Sequence, residues 1–193
     1  MAGTLYVVAT PIGNLEDITF RALRVLREVS VVAAEDTRRS GLLLRHFGIT
    51  TRLISLHSHN EGLKVAGLVD RLKRGESVAV VSDAGTPAVS DPGAELVAAA
   101  AAAGIKVEPV PGASAVMAAI SASGVGATEF AFLGFPPARG KHRSSWFDAL
   151  GERVTAGAAV FFEAPHRIRT LLEELNNRSY NQIVVFRELT KLH

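Results

Sequence analysis

Short apolar runs alternate with amphipathic segments along the chain, and this alternation constrains the fold more than any other feature of the sequence. An apolar run bounded by turn residues indicates a strand, whereas apolar residues spaced three and four positions apart indicate a helix. Their regular succession predicts β–α–β units, in which helices cover both faces of a mostly parallel sheet. The predicted strands are Leu5–Ala9, Ser30–Ala34, Arg52–Leu56, Ser77–Ser82 and Lys106–Val110, and the predicted helices are 18–29, 39–47, 61–74 and 94–103.

Glycines follow three of these helices, at Gly48, Gly75 and Gly104, just before the next strand. A glycine in this position is typical of a left-handed cap that ends a helix. The run Val78–Val81 is apolar at every position, as expected for a strand that is covered on both faces. Both features favour a parallel α/β sheet.

The same pattern restarts after Gly124 and predicts a second α/β domain. Its expected strands are 129–135, 158–162 and 182–187, and its expected helices begin at Ser144 and Pro165. The basic segment 139–143 is expected to form a flexible loop. We therefore assign an N-terminal domain to residues 1–123 and a second, incomplete domain to residues 124–193.

Composition excludes several kinds of site and partner. Because the chain has no cysteine, disulfides, thiolate metal ligands and thiol nucleophiles are absent. Lys and Arg exceed Asp and Glu by only 21 to 19, so a polyanion has to be recognised by a local patch rather than by net charge. The uncharged stretch 109–128 is broken by Pro and Gly, which argues against a membrane span, and no targeting segment is visible. We expect a cytoplasmic protein that does not bind membranes.

Three loops that follow predicted strands are rich in Gly, Pro and small polar residues. They are Ala9–Asp17, Ser82–Gly93 and Val110–Ala115. Ligands of parallel α/β sheets bind at the carboxyl ends of the strands, so these loops predict a cleft that recognises its ligand through main-chain groups. The second loop matches neither the Walker pattern nor G-x-G-x-x-G, which disfavours a triphosphate or a dinucleotide. Ordinary turns, including Asx turns at Asp83 and Asp91, are the alternative interpretation.

Charged residues follow the second and third predicted strands. Glu35 and Asp36 are adjacent carboxylates at the end of the second strand. The segment 57–61 holds two His and one Glu, but without a cysteine or a matching carboxylate this is a weak signal for a metal, and helix capping by Asn60 explains much of it. We therefore predict no metal site. The absence of a G-x-S-x-G motif also argues against a covalent hydrolase.

Eight segments, taken together and in order, resemble the tetrapyrrole-methylase fold superfamily. They span nearly the whole chain, and within the superfamily they are most similar to members that methylate a ribose 2′-hydroxyl in small-subunit ribosomal RNA. The segments are ATPIGNLEDITFRAL from Ala9, AEDTR from Ala34, SHNE from Ser58, VSDAGTPAVSDPG from Val81, PVPGASA from Pro109, FLGFPP from Phe132, FEAPHRI from Phe162 and RELTKLH from Arg187.

This resemblance implies a two-domain tetrapyrrole-methylase-like α/β fold, a homodimer, and S-adenosyl-L-methionine bound in a cleft between the two domains. It also implies a longer chain, because members of the family continue beyond the RELTK segment. The implied reaction is methylation of the ribose 2′-hydroxyl of a decoding-centre cytidine, in 16S rRNA or in the small ribosomal subunit. A methyltransferase of the same fold that acts on a tetrapyrrole or a protein side chain, and a non-enzymatic nucleotide-binding module, are the alternatives.

Carried over position by position, the resemblance implies cofactor contacts in both domains. A sulfonium carries a positive charge, which a nearby carboxylate or carbonyl dipole stabilises. The implied cofactor-binding residues are Pro11, Asp83, Ala84, Gly85, Pro87, Ala88, Val89, Ser90, Ser114 and Ala115 in the first domain, and Phe162, Glu163 and Ala164 in the second.

Methylation of a ribose hydroxyl requires a proton acceptor near the attacking oxygen. Glu35 and Asp36 are the preferred catalytic candidates, because one carboxylate at a strand end can face substrate while the other caps the next helix. Asp83 and His59 are further candidates, and a purely structural Glu–Asp pair that binds the following arginines is the alternative. Phosphate contacts to RNA are expected from six basic residues, Arg38, Arg39, Lys141, Arg143, His166 and Arg167.

Overall fold

The computed structural model describes residues 2–57, 60–126, 128–154, 157–180 and 182–191. These residues form two compact units. The first unit contains the described residues up to Ala115 together with 190 and 191, and the second is Val116–Leu189. The division falls at Ala115, whereas the sequence predicts it after residue 123.

The first unit is a five-stranded parallel sheet with helices on both faces. Its strands are β1 (Thr4–Val8), β2 (Val31–Ala34), β3 (Leu53–Ser55), β4 (Val78–Val81) and β5 (Lys106–Val110). Its helices are α1 (Phe20–Glu28), α2 (Thr37–His46), α3 (Glu61–Lys73) and α4 (Ala94–Ala102). Helix α5 (Ala115–Ala122) begins at the residue where the division falls, so most of it belongs to the second unit. The strands lie in the order β3-β2-β4-β1-β5, and each neighbouring pair is parallel. The predicted parallel α/β fold is confirmed.

Burial on both faces explains why these short apolar runs form strands. All four residues of β2 and all four of β4 are buried. Because alternate side chains of a strand point to opposite faces, Val80 packs in one core cluster with Leu72 of α3, whereas Val81 packs in another with Leu26 of α1. Each fully buried aliphatic side chain contributes about 1.5–3 kcal/mol. The two clusters therefore fix the sheet whose carboxyl edge carries the predicted loops.

The predicted glycine caps are confirmed. Gly48, Gly75 and Gly104 have φ values of +62°, +92° and +68°, a conformation that favours glycine. After α2, the N–H of Ile49 donates to the carbonyl of Leu44 at 2.8 Å, and the N–H of Gly48 donates to the carbonyl of Arg45 at 3.1 Å. These two hydrogen bonds form a Schellman motif. These caps end α2, α3 and α4 and lead the chain into the next strand.

In its described residues, the second unit contains α5 from Val116 onwards, two parallel strands and two further helices. Strand β6 (Phe130–Phe132) pairs with β7 (Ala158–Val160), and the helices α6 (Lys141–Val154) and α7 (Ile168–Asn177) follow them in turn. No helix in the described parts of either unit is long and apolar enough to cross a bilayer. The core of the second unit is formed by Phe147, Leu150, Leu171 and Leu175.

Three predictions for the second unit are wrong. Helix α7 begins at Ile168 rather than Pro165. Helix α6 begins at Lys141 rather than Ser144, because the carbonyl of Gly140 accepts the N–H of Arg143 at 3.0 Å and starts the helix there. The basic segment is therefore partly helical and not a flexible loop. Residues 182–187 do not form a strand, because none of the described strands lies beside them to exchange hydrogen bonds.

Candidate functional site

The carboxyl ends of the parallel strands bring two of the predicted loops together. Thr10, after β1, forms an antiparallel bridge with Gly85, after β4. The N–H of Thr10 donates to the Gly85 carbonyl at 2.9 Å, and the N–H of Gly85 donates to the Thr10 carbonyl at 3.0 Å. The Thr10 hydroxyl also donates to the carbonyl of Ser82 at 3.3 Å. Main-chain groups therefore hold the two loops against each other.

Gly85 lies where a side chain would be strained. Its φ is +82°, and a Cβ at this position would lie 3.3 Å from Cγ2 of Ile12 and 3.7 Å from the carbonyl oxygen of Ala113. The hydroxyl of the next residue, Thr86, donates to the same Ala113 carbonyl at 3.4 Å. The loop after β5 therefore meets the other two loops at this position.

Gly112 allows the loop after β5 to approach the end of β1. A Cβ at Gly112 would lie 3.1 Å from the Cβ of Ala9, which is closer than ordinary packing, and 3.6 Å from the carbonyl oxygen of Ala9. A larger residue would therefore push the two loops apart. The glycines keep side chains out of the junction, so that main-chain groups line it.

The loop after β4 contains two strained residues. Ala88 and Ser90 both have a φ of +64°, in the left-handed region. For residues with a Cβ this conformation costs of the order of 1–3 kcal/mol each, and it persists only where the surrounding structure enforces it. The N–H of Ala88 donates to the carbonyl of Pro92 at 3.3 Å and closes a tight turn. Such strain is typical of ligand-binding loops, and both residues are predicted cofactor contacts.

Three acidic residues meet at the ends of β2 and β4. The N–H of Asp36 donates to Oδ1 of Asp83 at 3.0 Å, and the N–H of Asp83 donates to Oε2 of Glu35 at 3.2 Å. The guanidinium of Arg39 lies 3.4 Å from Oδ2 of Asp83. The adjacent strands therefore place these carboxylates at one edge of the sheet, in fixed orientations.

Glu35 has the electrostatic environment of a proton acceptor. Burial raises its pKa, and the negative charges of Asp83 and Asp91 raise it further, against the N–H of Asp83 and the charge of Arg39. The pKa of Asp91 is also raised, first by burial and then by the charge of Asp83, against a hydrogen bond from Ser82. A carboxylate with a raised pKa binds a proton more strongly, which is the property that a general base requires.

Asp36 is engaged as the N-cap of α2. Its Oδ1 accepts the N–H of Arg38 at 2.8 Å, and its two oxygens accept hydrogen bonds from the Arg38 guanidinium at 3.1 and 2.7 Å. These hydrogen bonds lower the pKa of Asp36 to about 2. Such a weakly basic carboxylate is a poor proton acceptor, so the geometry favours Glu35 over Asp36 as the base.

A pocket of about 530 Å³ opens beside these groups in the first unit. Its walls are the loop after β1, one face of α2 and the start of the loop after β4, and they include Pro11 and Asp83. Leu15 and Leu42 contribute apolar surface and are 40% and 63% exposed, while Arg39 contributes a cationic group. Apolar walls with a few polar groups are typical of pockets for small organic ligands.

The other predicted contacts of the first unit lie along the same edge of the sheet. Ala84 also lines the pocket, and residues 87–90 form the strained part of the loop after β4. Ser114 lies directly before α5, and Ala115 is the first residue of this helix. His59, a further candidate for the base, lies outside the described residues. The topology therefore brings together the first-unit residues that the sequence singled out separately.

The predicted cofactor contacts of the second unit follow β7. Phe162 and Ala164 are half-buried. The side chain of Glu163 is only 3% exposed, with Oε1 at 2.6 Å from the guanidinium of Arg167 and Oε2 at 3.4 Å from that of Arg143. The N–H of Ala164 also donates to Oε1 at 2.8 Å. Within its own unit, Glu163 is therefore a buried carboxylate between two arginines.

Arg143 does not fit its predicted role as a phosphate contact. The residue is 6% exposed, and its guanidinium binds Glu163, Glu174 at 3.1 Å and the carbonyl of Pro137 at 2.9 Å. In this structure, the Arg143 guanidinium is engaged by groups of the second unit and is not accessible to a phosphate. The side chain of Arg167 is 23% exposed and also forms an ion pair with the buried carboxylate of Glu163.

The remaining four predicted RNA contacts are exposed. Arg38 and Arg39 lie in the first turn of α2, and their side chains are 88% and 68% exposed. Lys141 begins α6 and is exposed, as is His166 after β7. These four side chains are accessible to a polyanion.

Asn60 does not cap α3 as predicted. It occupies the N-cap position, but its Oδ1 accepts the N–H of His57 at 2.9 Å, and no described N–H of the helix donates to its side chain. The amide is therefore used to close the turn that precedes the helix.

Glu61 has a position that the sequence did not reveal. Glu61 is the first residue of α3, and its buried side chain caps the start of α4. There, Oε1 accepts hydrogen bonds from the N–H groups of Gly93 at 2.9 Å, Glu95 at 3.1 Å and Leu96 at 3.4 Å. Asx turns at Asp83 and Asp91 were the expected alternative for capping this helix, but the cap comes from Glu61 instead. In the sequence, Glu61 belongs to the weak metal pattern at 57–61 and to the SHNE segment, and neither pattern indicates this cap.

Curated relatives match nearly the whole chain. Ribosomal RNA small subunit methyltransferase I of Pseudomonas aeruginosa is 51% identical over 192 residues, which cover 98% of this chain and 67% of the relative. The protein of the same name in Halalkalibacterium halodurans is 48% identical, with 99% of this chain and 66% of the relative covered. The chain therefore spans about two thirds of the length of the curated relatives that it matches.

Solved structures agree with this family. A uroporphyrin-III-C-methyltransferase from Thermus thermophilus superposes with a TM-score of 0.54 and 31% identity, covering 69% of this chain and 61% of that one. The native form of uroporphyrin III C-methyltransferase from the same organism has the same fold, with a TM-score of 0.64 at 20% identity over 92% of this chain and 77% of that one. A family model described as tetrapyrrole (corrin/porphyrin) methylases matches residues 4–193. On this match and this parallel α/β fold, the chain belongs to the tetrapyrrole (corrin/porphyrin) methylase family.

Proposed function

We propose that the protein is an S-adenosyl-L-methionine-dependent methyltransferase of small-subunit ribosomal RNA, and that it methylates the ribose 2′-hydroxyl of a cytidine in the decoding centre. The observation that carries the proposal is the 51% identity to the Pseudomonas aeruginosa methyltransferase over 98% of this chain, since this similarity includes both units. Because the chain spans about two thirds of that relative, the activity, substrate and partners of the whole protein all belong to the proposal.

The first unit fits a sulfonium cofactor. Gly85 and Gly112 leave the main chain of the converging loops uncovered, so that a ligand can reach its N–H and carbonyl groups. Residues 82–93 include no Lys or Arg, and the carboxylates of Glu35 and Asp83 lie at the same edge. A negative local potential favours a cation. When bound, S-adenosyl-L-methionine supplies the methyl group.

Glu35 is the proposed general base. A ribose hydroxyl is a weak nucleophile, and a proton acceptor must lie within about 3 Å of it or act through one water. The N–H of Asp83 fixes one carboxylate oxygen of Glu35, and burial keeps its proton affinity high. Asp36 holds the start of α2 and acts through the orientation of this helix.

Arg38 and Arg39 are proposed to bind RNA phosphates. Arg38 pairs with Asp36 and Arg39 with Asp83, but their side chains are still 88% and 68% exposed, so a phosphate can reach both guanidinium groups. Two exposed guanidinium groups in the same helical turn favour a polyanion. Leu15 and Leu42 of the adjacent pocket are exposed and offer apolar surface beside these two arginines.

A homodimer and a cytoplasmic location complete the proposal, and both rest on the resemblance to the family. Sedimentation velocity of the protein over a range of concentrations tests the dimer. A single species with the mass of one chain at all concentrations would contradict it.

Methyl transfer from a radiolabelled donor tests the function. The protein is incubated with labelled S-adenosyl-L-methionine and with one of three acceptors: assembled small ribosomal subunits, free 16S rRNA, or porphyrin precursors. We expect label in the RNA, in a nucleotide whose 3′ phosphodiester resists alkali, because a 2′-O-methyl group removes the attacking hydroxyl. Label in RNA that remains alkali-labile at that position would exclude the ribose reaction.

A second candidate function is methylation of a tetrapyrrole. The observation that favours it is the 31% identity to the Thermus uroporphyrin-III-C-methyltransferase over 69% of this chain. Label in the porphyrin arm and not in either RNA arm would decide for this candidate. Donor binding without transfer to any acceptor would instead indicate a binding module.

A further inference from the structure

The carboxylate of Glu61 connects α3 to the end of the loop after β4. Glu61 is 7% exposed, and Oε1 accepts three N–H groups at the start of α4, including that of Gly93 at 2.9 Å. Burial of a charged side chain is costly unless it is paired or hydrogen-bonded. These three hydrogen bonds compensate for it, so Glu61 and the start of α4 depend on each other.

Helix α4 needs a cap from elsewhere in the fold. Its own N-cap residue is Gly93, which has no side chain to accept the first N–H groups. Its φ of +117° and the 3.2 Å between a Cβ at this position and Cγ2 of Val80 disfavour any larger residue. Glu61 supplies both an acceptor and a negative charge, which suits the positive end of the helix dipole.

The loop after β4 is therefore held at both ends. At its beginning, the N–H of Asp83 donates a hydrogen bond to the carboxylate of Glu35, and Gly85 forms a β-bridge with Thr10. At its end, Glu61 holds Gly93. The strained turn at residues 88–90 lies between these two attachments, and such a turn keeps its conformation only while both ends are fixed.

We propose that Glu61 is a positioning residue for the cofactor, because it keeps residues 86–92 in the strained conformation that receives the ligand. This proposal rests on the proposed function, in which these residues contact S-adenosyl-L-methionine. A residue with a merely structural role would change the unfolding temperature and leave the affinity of the folded protein unaltered.

The test compares variants by calorimetric titration with S-adenosylhomocysteine at 10 °C, where circular dichroism verifies that each is folded. Glu61→Ala removes the acceptor, Glu61→Asp shortens it by one methylene, and Glu61→Gln keeps an oxygen in place without the charge. Glu95→Gln is the matched control, because Glu95 is an exposed acid in the first turn of the same helix.

We expect Glu61→Ala and Glu61→Asp to raise the Kd by roughly tenfold, with a less favourable binding entropy, because the loop must then be ordered on binding. Glu61→Gln should restore the Kd to within about threefold, since its oxygen still accepts the three N–H groups. Glu95→Gln should bind like the unaltered protein.

Wild-type affinity in folded Glu61→Ala, or in folded Glu61→Asp if the alanine variant does not fold, would overturn the positioning role alone. An equal loss in Glu95→Gln would also overturn it, because the effect would then come from charge at the helix end. Failure of the unaltered protein to bind S-adenosylhomocysteine would overturn the proposed function and this role with it.

Discussion

The N–H of Asp83 donates a hydrogen bond to the carboxylate of Glu35 at 3.2 Å, and this bond links the ends of β4 and β2. The neighbouring Asp36 is held differently, since Arg38 engages both of its oxygens. The pKa values of these two adjacent acids are therefore shifted in opposite directions: that of Glu35 is raised, and that of Asp36 is lowered to about 2. This contrast separates the candidate base from the helix cap.

Replacement of Glu35 should abolish methyl transfer more completely than replacement of Asp36. Glu35→Gln removes the proton acceptor but keeps an oxygen for the N–H of Asp83, so we expect the rate to fall by about 100-fold or more. The affinity for S-adenosylhomocysteine should change little. Asp36→Asn, the matched control, should retain most of the rate because Asn is a good N-cap. Single-turnover rates measure both, and a full rate in Glu35→Gln would remove this residue from the mechanism.

The stability conferred by Asp36 should depend on pH in a defined window. Its pKa is 3.8 in the absence of interactions and about 2 in the folded chain, so its ionised form is favoured by folding. The stabilisation is present above pH 3.8 and is lost as the pH falls towards 2. Urea unfolding should therefore find Asp36→Asn less stable than the unaltered protein at pH 6, with the difference vanishing near pH 2. A difference that is constant over this range would contradict the assignment.

Gly85→Val should eliminate cofactor binding. The added side chain meets Ile12 at a backbone φ of +82°, so the junction of the three loops must open. Gly104→Val is the control: its φ of +68° imposes similar backbone strain, but a Cβ there has no neighbour within 4 Å. Calorimetry should detect binding of S-adenosylhomocysteine by the folded control and not by Gly85→Val. Equal binding by both variants would argue against a ligand at this junction.

Arg39→Ala should weaken RNA binding at the carboxyl edge of the sheet. Loss of one phosphate contact should reduce the slope of log K against log salt by about 0.7 for a single-stranded site. Arg52→Ala is the control, since Arg52 is exposed and directly precedes β3, at the opposite edge of the sheet. Filter binding of 16S rRNA fragments at several salt concentrations measures both slopes. If the Arg52 variant loses as much as the Arg39 variant, RNA binding is not localised to α2.

Glu163→Gln should destabilise the second unit. Removing one charge from a buried ion pair costs up to about 3 kcal/mol. Arg143 then keeps only Glu174 and the Pro137 carbonyl, and Arg167 loses the charge of its acidic partner. The fluorescence of Trp146, the single tryptophan, reports this unit because its ring packs against Phe147 and Phe161. Asp148→Asn breaks the exposed pair with Arg178 and should cost less than about 1 kcal/mol in the same urea titration. Equal midpoints for the two variants would contradict this role of Glu163.

Local patterns were sufficient to predict most of the first unit. Strand β5 has the predicted bounds, and β4 is one residue shorter at each end than predicted. The convergence of the three loops also follows from pattern alone, since parallel strands end at one edge of a sheet. These features depend on residues that are close in sequence or on the rules of the fold class.

Contacts between distant side chains could not be predicted in the same way. Glu61 and Gly93 are 32 residues apart, and nothing near Glu61 distinguishes a buried carboxylate from one in solvent. Arg143 lies in a dense basic segment typical of a surface loop, but its acidic partners Glu163 and Glu174 are 20 and 31 residues away. The prediction of a strand at 182–187 was wrong for a related reason, because a strand needs a neighbouring strand as well as apolar residues.

The strand order also determines when the sheet can assemble during synthesis. Strand β1 precedes the other described strands of the sheet in the sequence, yet in that sheet it pairs with β4 and β5. Pairing over such long sequence separation is slow, and exposed strands are prone to aggregate. Leu5 lies beside Val78 of β4 and Val107 of β5, and Val8 lies beside Val110, so β1 has both of its neighbours only when the chain has grown past Val110. Until then, the nascent chain exposes apolar side chains that the finished sheet buries completely.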